Sequence, residues 1–224
     1  MKNETSRPLV IAIDGPAGSG KSTVSKRVAK ELGLLYVDTG AMYRALTLKA
    51  VRMKLDLEDE AVLTGLARTT EIDLEDTSDL KVFLDGEDVA GLIRTPEITN
   101  NIKYIARVPG VRKEMVKKQR AIGSHKPCVL EGRDIGTVVF PDADYKFYLD
   151  ANIDVRAKRR FKDLAELGQG IPDIDDVRRD VILRDESDIK RAVGALKKAA
   201  DAVRIDTTNR SIEEVAAKIL SYIK

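Results

Sequence analysis

The stretch Gly15-Pro16-Ala17-Gly18-Ser19-Gly20-Lys21-Ser22, followed by Thr23, restricts what this chain can become more than any other. It carries glycine, four free positions, glycine, lysine and a hydroxyl residue, the pattern of a phosphate-binding P-loop. The apolar run Leu9-Val10-Ile11-Ala12-Ile13 leads in, and a helix-like segment from Lys21 to Leu32 follows. The motif therefore stands between a strand and a helix, the context it requires. Glycines let the chain wrap closely around phosphate oxygens, backbone N–H groups converge, and the helix N-terminus adds partial positive charge. The residues from Gly15 to Thr23 are expected to hold ATP. Lys21 would reach its β- and γ-phosphates, and the Ser22 hydroxyl would ligate Mg²⁺.

Composition narrows the field around that motif. Hydrophobic residues make up 43% and charged residues 34% of 224, the balance of a folded domain rather than a disordered chain. Thirty-nine Lys and Arg against 37 Asp and Glu leave a formal charge of +2, which gives no bulk attraction to nucleic acid. With 4% aromatics and no Trp, a base-stacking platform is not expected either. Cys128 is the only cysteine, so no internal disulfide can form, and its apolar neighbours place it as a small core residue of a reducing compartment. One histidine, His125, is too few for a histidine metal cluster or a Ser-His-Asp triad. The apolar runs fall short of the ~20 residues of a membrane span. The polar segment from Met1 to Pro8 lacks a signal-peptide core, so the expected location is the cytoplasm, with no membrane partner.

Further along, Leu34 to Val37 reads as a strand, Ala41 to about Arg52 as a helix and Glu58 to Leu66 as a second. Glu71-Ile72-Asp73-Leu74 and Lys81-Val82-Phe83-Leu84 alternate polar and apolar, and Asp85-Gly86 supplies a hairpin turn, so a small antiparallel insert is expected. Thr95-Pro96-Glu97 opens a helix, Val108-Pro109 interrupts it, and Val111 to Ile122 forms another with a basic face at Arg112, Lys113, Lys117, Lys118 and Arg120. Pro127 to Leu130, Tyr145 to Leu149 and Ala202 to Asp206 complete a set of five strands. Between the last two come charged helices, Asn152 to Leu167 and Asp173 to about Ala192, joined by residues 168–172. Ser211-Ile212-Glu213-Glu214 is a capping box for a final helix. Strands alternating with helices predict an α/β protein with a central parallel five-stranded sheet covered on both faces.

Two charge constellations point to an anionic ligand beyond the P-loop. Glu131-Gly132-Arg133-Asp134 follows a strand, and ligands of open α/β sheets sit at carboxyl ends of strands, so these residues should share the P-loop's crevice. Arg156, Arg159 and Arg160 fall on one helix face, and Arg184, Asp188 and Arg191 on another. Two such faces joined by a short link would repel unless an anion lay between them, which predicts a hinged flap over a triphosphate.

With these stretches in hand, the chain resembles the bacterial cytidylate kinases, a family of P-loop nucleoside monophosphate kinases, over nearly its whole length. The matching segments are IDGPAGSGKST (13–23), VDTGAMYRA (37–45), VFLDGEDVAGLIRTPEIT (82–99), VLEGRDIGTVVFPDADYKFYLDA (129–151) and RDESDIKRAV (184–193). The resemblance implies transfer of the γ-phosphoryl of ATP to CMP or dCMP, with Mg²⁺ as cofactor, by a monomeric P-loop kinase fold with a helical lid. It implies that Arg44, Arg133 and Arg191 hold the acceptor phosphate and that Arg112 and Asp134 read cytosine. Arg184 and Asp188 would contact its ribose, and Thr39 would join the CMP site. The catalytic group would be Lys21, Arg133, Arg159, Arg160 and Arg184. A single domain would comprise a core (about 1–66, 108–155 and 188–224), a monophosphate-binding insert (about 67–107) and a lid (about 156–187). Lys103 stands where family members often carry a base-reading serine, and lysine cannot accept a hydrogen bond from cytosine N4. Either that contact is absent here or Thr99 or Asn100 supplies it. Asp14, Asp38 and Glu131 are three carboxylates available to support the metal's waters. Within enzymes the alternative is another small P-loop kinase, acting on UMP, AMP or shikimate. From another class it is a non-catalytic nucleotide switch, although no Asn-Lys-x-Asp guanine-reading motif is present.

Overall fold

A computed structural model describes residues 7–76, 80–166 and 173–223. The expected helix end at Leu167 and the link at 168–172 lie outside these residues. The chain runs β1 (Val10–Asp14), α1 (Lys21–Leu32), β2 (Leu35–Asp38), α2 (Thr39–Arg52), α3 (Glu60–Thr69), then β3 (Ile72–Asp76), β4 (Leu80–Leu84) and β5 (Glu87–Asp88). There follow α4 (Pro96–Ala106), α5 (Pro109–His125), β6 (Cys128–Gly132), a π-helical turn (Ile135–Val139), β7 (Tyr145–Asp150), α6 (Ile153–Glu166), α7 (Ile174–Lys190), β8 (Val203–Asp206) and α8 (Ile212–Ile223).

Five strands form one parallel sheet in the order β2-β6-β1-β7-β8. Side chains alternate across a strand, and β1 shows what that does. Val10 and Ala12 join a core built with α2, α4 and α5, including Met42, Leu46, Ile105, Val111 and Met115. Ile11 and Ile13 face the other way, into a core with Val24 and Val28 of α1 and Val215 and Ile219 of α8. A strand buried on both faces has to be apolar throughout, which is why its sequence reads as an unbroken run.

A second sheet of three antiparallel strands, β3-β4-β5, leans against α2. Asp85 and Gly86 form the β4–β5 turn with φ of 49° and 86°, a left-handed pair that glycine enters freely and aspartate tolerates.

Caps hold the helix starts. Asp38 accepts from Ala41 N, Thr95 from Ile98 N, and Asp59 from both Ala61 N and Val62 N. Asp59 therefore starts α3 later than the expected Glu58, and the helix runs on to Thr69. Ser211 and Glu214 bond reciprocally at 2.7 and 3.2 Å, as the capping box predicts. The expected basic face of α5 is corrected: Arg112 is buried while Lys113 and Lys117 are exposed. Arg120 donates to the carbonyls of Val138 and Val139, both at 2.7 Å.

The most consequential correction concerns strand ends. β1, β2 and β6 run one or two residues past their apolar runs, so Asp14, Asp38 and Glu131 are strand residues. Register then brings them together: Glu131 pairs with Asp38 on one side and with Ile13 on the other, and Gly132 pairs with Asp14.

Candidate active site

These strand ends floor a crevice of about 230 Å³. The P-loop and α1 bound one end, and α2, α4, α5, α7 and the loop after β6 bound the other. Eight cationic and five acidic side chains line it, a surplus that favours an anionic occupant.

At the P-loop end the backbone does most of the building. Gly15, Gly18 and Gly20 all have positive φ, and a Cβ on Gly15 would lie 2.1 Å from the Leu149 carbonyl oxygen. Lys21 is buried and donates to the Pro16 carbonyl at 3.1 Å. Burial and the nearby Arg133 charge pull its ammonium down to about 7. Ser22 is exposed on the first turn of α1, with its hydroxyl beside Glu131. Burial, together with the Asp38 charge, raises the Glu131 carboxyl, and that hydroxyl draws it down only in part. Tyr36 donates to Glu131 Oε1 at 2.5 Å, and Thr39 donates to the Glu131 carbonyl at 2.7 Å.

The other two carboxylates are engaged elsewhere. Asp14 accepts from the amides of Ile135 and Gly136, both at 2.8 Å, which pins the start of the π-helical turn. Burial raises its carboxyl to about 6 despite those two amides. Asp38 caps α2 and forms an ion pair with Arg94 at 3.2 Å. A hydroxyl beside a carboxylate is a hard-oxygen donor set. Among the described residues no group of three or more His, Cys, Asp or Glu is placed to hold a metal ion by itself. This combination suits Mg²⁺, which keeps waters and takes most of its remaining ligands from phosphates.

The opposite end is built from side chains. Arg112 and Asp134, both buried, are bonded at 2.6 Å. Arg133 bonds Asp188 at 2.6 Å, and Arg191 bonds the other oxygen of the same carboxylate. Burial opposes the Asp188 charge, but these two guanidiniums hold its carboxyl below the ordinary range. Arg44 donates to Thr99 Oγ1 at 2.8 Å. Burial brings its guanidinium down to about 10, with Arg94, Arg160 and Arg133 lowering it further against Asp38. Arg184 is lowered to about 9 by burial and by Arg133 and Arg44.

The expected stripe of Arg156, Arg159 and Arg160 is corrected, because the three diverge. Arg156 is buried against Asp185 at 2.5 Å and Ala17 O at 3.2 Å. Arg159 donates to Thr207 O at 2.7 Å and reaches Gly18 O at 3.4 Å, bracing the P-loop rather than lining the crevice. Only Arg160 lines it. The anticipated repulsion between α6 and α7 is relieved largely within the protein, because Asp185 pairs with Arg156 and Asp188 with Arg191. Arg191 also lies one residue beyond the end of α7, as its C-cap.

Lys103 is exposed and sits 5.0 Å from the centre of the Tyr104 ring, so α4 offers the crevice Ile102 and Ala106 instead. Three lining residues with polar side chains escaped the sequence reading: Tyr43, Arg94 and Asp163. Tyr43 and Arg94 lie within the quoted segments, but no spacing rule marks them. Asp163 sits one turn after Arg160.

A P-loop and its helix at the carboxyl edge of a 2-6-1-7-8 parallel sheet, facing a cationic crevice, define a P-loop kinase fold. The chain belongs to the cytidylate kinase family, whose model matches residues 11–224. It is 47% identical over 215 residues to "Cytidylate kinase" of Geobacillus sp. (strain WCH70), covering 95% of each chain. It is 48% identical over 213 residues to "Cytidylate kinase" of Desulfitobacterium hafniense (strain Y51), covering 95% of this chain and 91% of that one. Among solved structures, an uncharacterized protein from Eubacterium ventriosum ATCC 27560 shares the fold at a TM-score of 0.53 and 13% identity, covering 96% of this chain and 98% of its own. Among the described residues no helix is long and apolar enough to cross a membrane.

Proposed function

We propose that this chain transfers the γ-phosphoryl group of ATP to CMP or dCMP, giving ADP and CDP or dCDP. The observation that carries the reading is the shape of the charge. A P-loop lies at one end of the crevice, and at the other an Arg–Asp pair is buried beside a cluster of guanidiniums that outnumbers its carboxylates. The full-length relatives named cytidylate kinase support the choice of acceptor.

In this reading Lys21 and the loop amides hold the donor phosphates. Ser22, with Glu131 beside it, would hold Mg²⁺, which would supply neutralising charge to the donor phosphates. Arg44, Arg133 and Arg191 orient the acceptor phosphate, Thr39 borders it, and Arg184 and Asp188 take the ribose. Arg112 and Asp134 read the base. The Asp134 carboxylate accepts from cytosine N4, whereas uracil would oppose two acceptors there. The acceptor phosphate, with a second ionisation near ~6, is already an oxyanion at neutral pH, so no general base is required. Catalysis is positioning and charge stabilisation. Residues 156–187 act as the lid and 67–107 as the monophosphate-binding insert. Arg160 and Arg184 cover the transferring group, and Arg159 holds the P-loop from behind.

A coupled ADP-release assay against CMP, dCMP, UMP, AMP, GMP and shikimate tests this. Turnover with CMP and dCMP far above the rest is expected. Preference for AMP, UMP or shikimate, or no turnover with any acceptor, would overturn it.

A further inference from the structure

The acceptor end of the crevice contains a polar group that the ion pairs leave over. Tyr43 lines the crevice from α2 and is almost fully buried. Its hydroxyl is shielded from solvent and has no hydrogen-bond partner among the described residues. The Nε of Arg112 is buried and unpartnered in the same way. The two side chains touch: the Arg112 guanidinium carbon lies 5.5 Å from the centre of the Tyr43 ring. Arg112, Asp134 and Arg191 are the charges the hydroxyl feels, so it sits at the base-reading end. Phenylalanine would fill the same space without stranding a hydroxyl. An orphaned buried donor is costly, and a ligand that supplies the missing acceptor is one explanation for its presence.

We propose that Tyr43 is a base-reading residue whose hydroxyl donates a hydrogen bond to the O2 carbonyl of the pyrimidine. This rests on CMP or dCMP being the acceptor. The cytosine edge runs from the N4 amino donor through the N3 acceptor to the O2 acceptor. Asp134 can only accept, so it takes N4, and two acceptors then need two donors. Arg112 is bonded to Asp134 and faces the neighbouring N3; Tyr43, packed on Arg112, faces O2. Burial pushes the Tyr43 hydroxyl to about 12, so it keeps its proton at neutral pH and remains a donor.

The test is Tyr43→Phe in the full chain. CMP affinity would be measured by calorimetry without ATP, KM for CMP, dCMP and ATP by ADP release, and Tm with and without CMP. The expected result is about a tenfold weaker Kd and higher KM for CMP, with the same factor for dCMP and none for ATP. The free variant should melt at the same temperature as the parent or higher, and the rise in Tm on adding CMP should shrink. Unchanged CMP affinity would overturn the proposal. So would a penalty seen with CMP but not dCMP, which would place the contact on the ribose 2′-hydroxyl. A lower Tm with equal losses for ATP and CMP would mean a packing role only, and would overturn it too. If the parent chain itself turns over no pyrimidine monophosphate, the cytidylate reading fails before the variant is made.

Discussion

The two ends of the crevice are built by different means. The P-loop end is mostly backbone: one continuous segment whose left-handed glycines and helix N-terminus create the phosphate cradle, with Lys21 and Ser22 the principal side chains in it. The opposite end is mostly side chain, drawn from α2, α5, α7 and the loop after β6, and several of its charges are paired with one another, Arg112 with Asp134, and Arg133 and Arg191 with Asp188. A backbone site is set by local conformation. A side-chain site is set by packing, and each of its charges depends on a neighbour that came from elsewhere in the chain. Losses at the first end should therefore fall on catalysis with little effect on folding, and losses at the second on folding and acceptor binding together.

The largest expected effect is that of Lys21→Ala, which should lower kcat about a thousandfold. Its Tm should hold, since the removed ammonium is buried among other cations. A rate near the parent's would end the contrast between the ends. Next is Asp188→Ala. It strands two guanidiniums, Arg133 and Arg191, in a buried site and should cost about 3 kcal/mol of stability by chemical denaturation, with loss of CMP binding. A variant as stable as the parent would show that the acceptor end does not depend on its internal pairs. Asp134→Ala should raise KM for CMP roughly a hundredfold while leaving KM for ATP alone. Equal effects on both would merge the two ends into one site.

A smaller effect concerns Asp14, which ties β1 to the loop carrying Arg133 and Asp134. Its folded value of about 6 lies above the ordinary 3.8, so the folded state binds the proton more tightly. Its contribution to stability is complete below pH 3.8 and is lost as pH rises through 6. The Tm of the parent minus that of Asp14→Asn should therefore fall by several degrees across that window. A difference that is flat or rises with pH would remove Asp14 from this role. Smallest of all, Cys128 is buried in β6 with its thiol pushed up to about 12 by burial. The folded chain should resist iodoacetamide at pH 8, and mass spectrometry should find alkylation only after unfolding.

Much of the architecture was legible because it follows local rules. The P-loop helix begins at Lys21 and ends at Leu32 as read, since Gly20 and Gly33 flank it in left-handed conformation. Asp85-Gly86 turns the insert, and Ser211 with Glu214 caps the last helix. Strand ends were less legible. Asp14, Asp38 and Glu131 are charged residues in extended backbone, and hydropathy stops one or two residues before pairing does. The arginines of α6 misled for a related reason. Helical spacing places Arg156, Arg159 and Arg160 near one another on a face, but their length lets each guanidinium choose a separate partner: Asp185, Thr207 or the crevice.

By itself, then, the sequence determined the phosphate cradle, the alternation of strands and helices, and through resemblance the family. Tertiary structure alone decided which carboxylate lies beside Ser22, that Asp188 serves two arginines, that Arg159 braces the loop, and that the Tyr43 hydroxyl finds no partner among the described residues. The physical reason is range. Backbone conformation and periodicity are written within about a dozen neighbouring residues. A buried charge or hydroxyl takes its meaning from whichever distant group the fold places, or fails to place, within 3 Å or so.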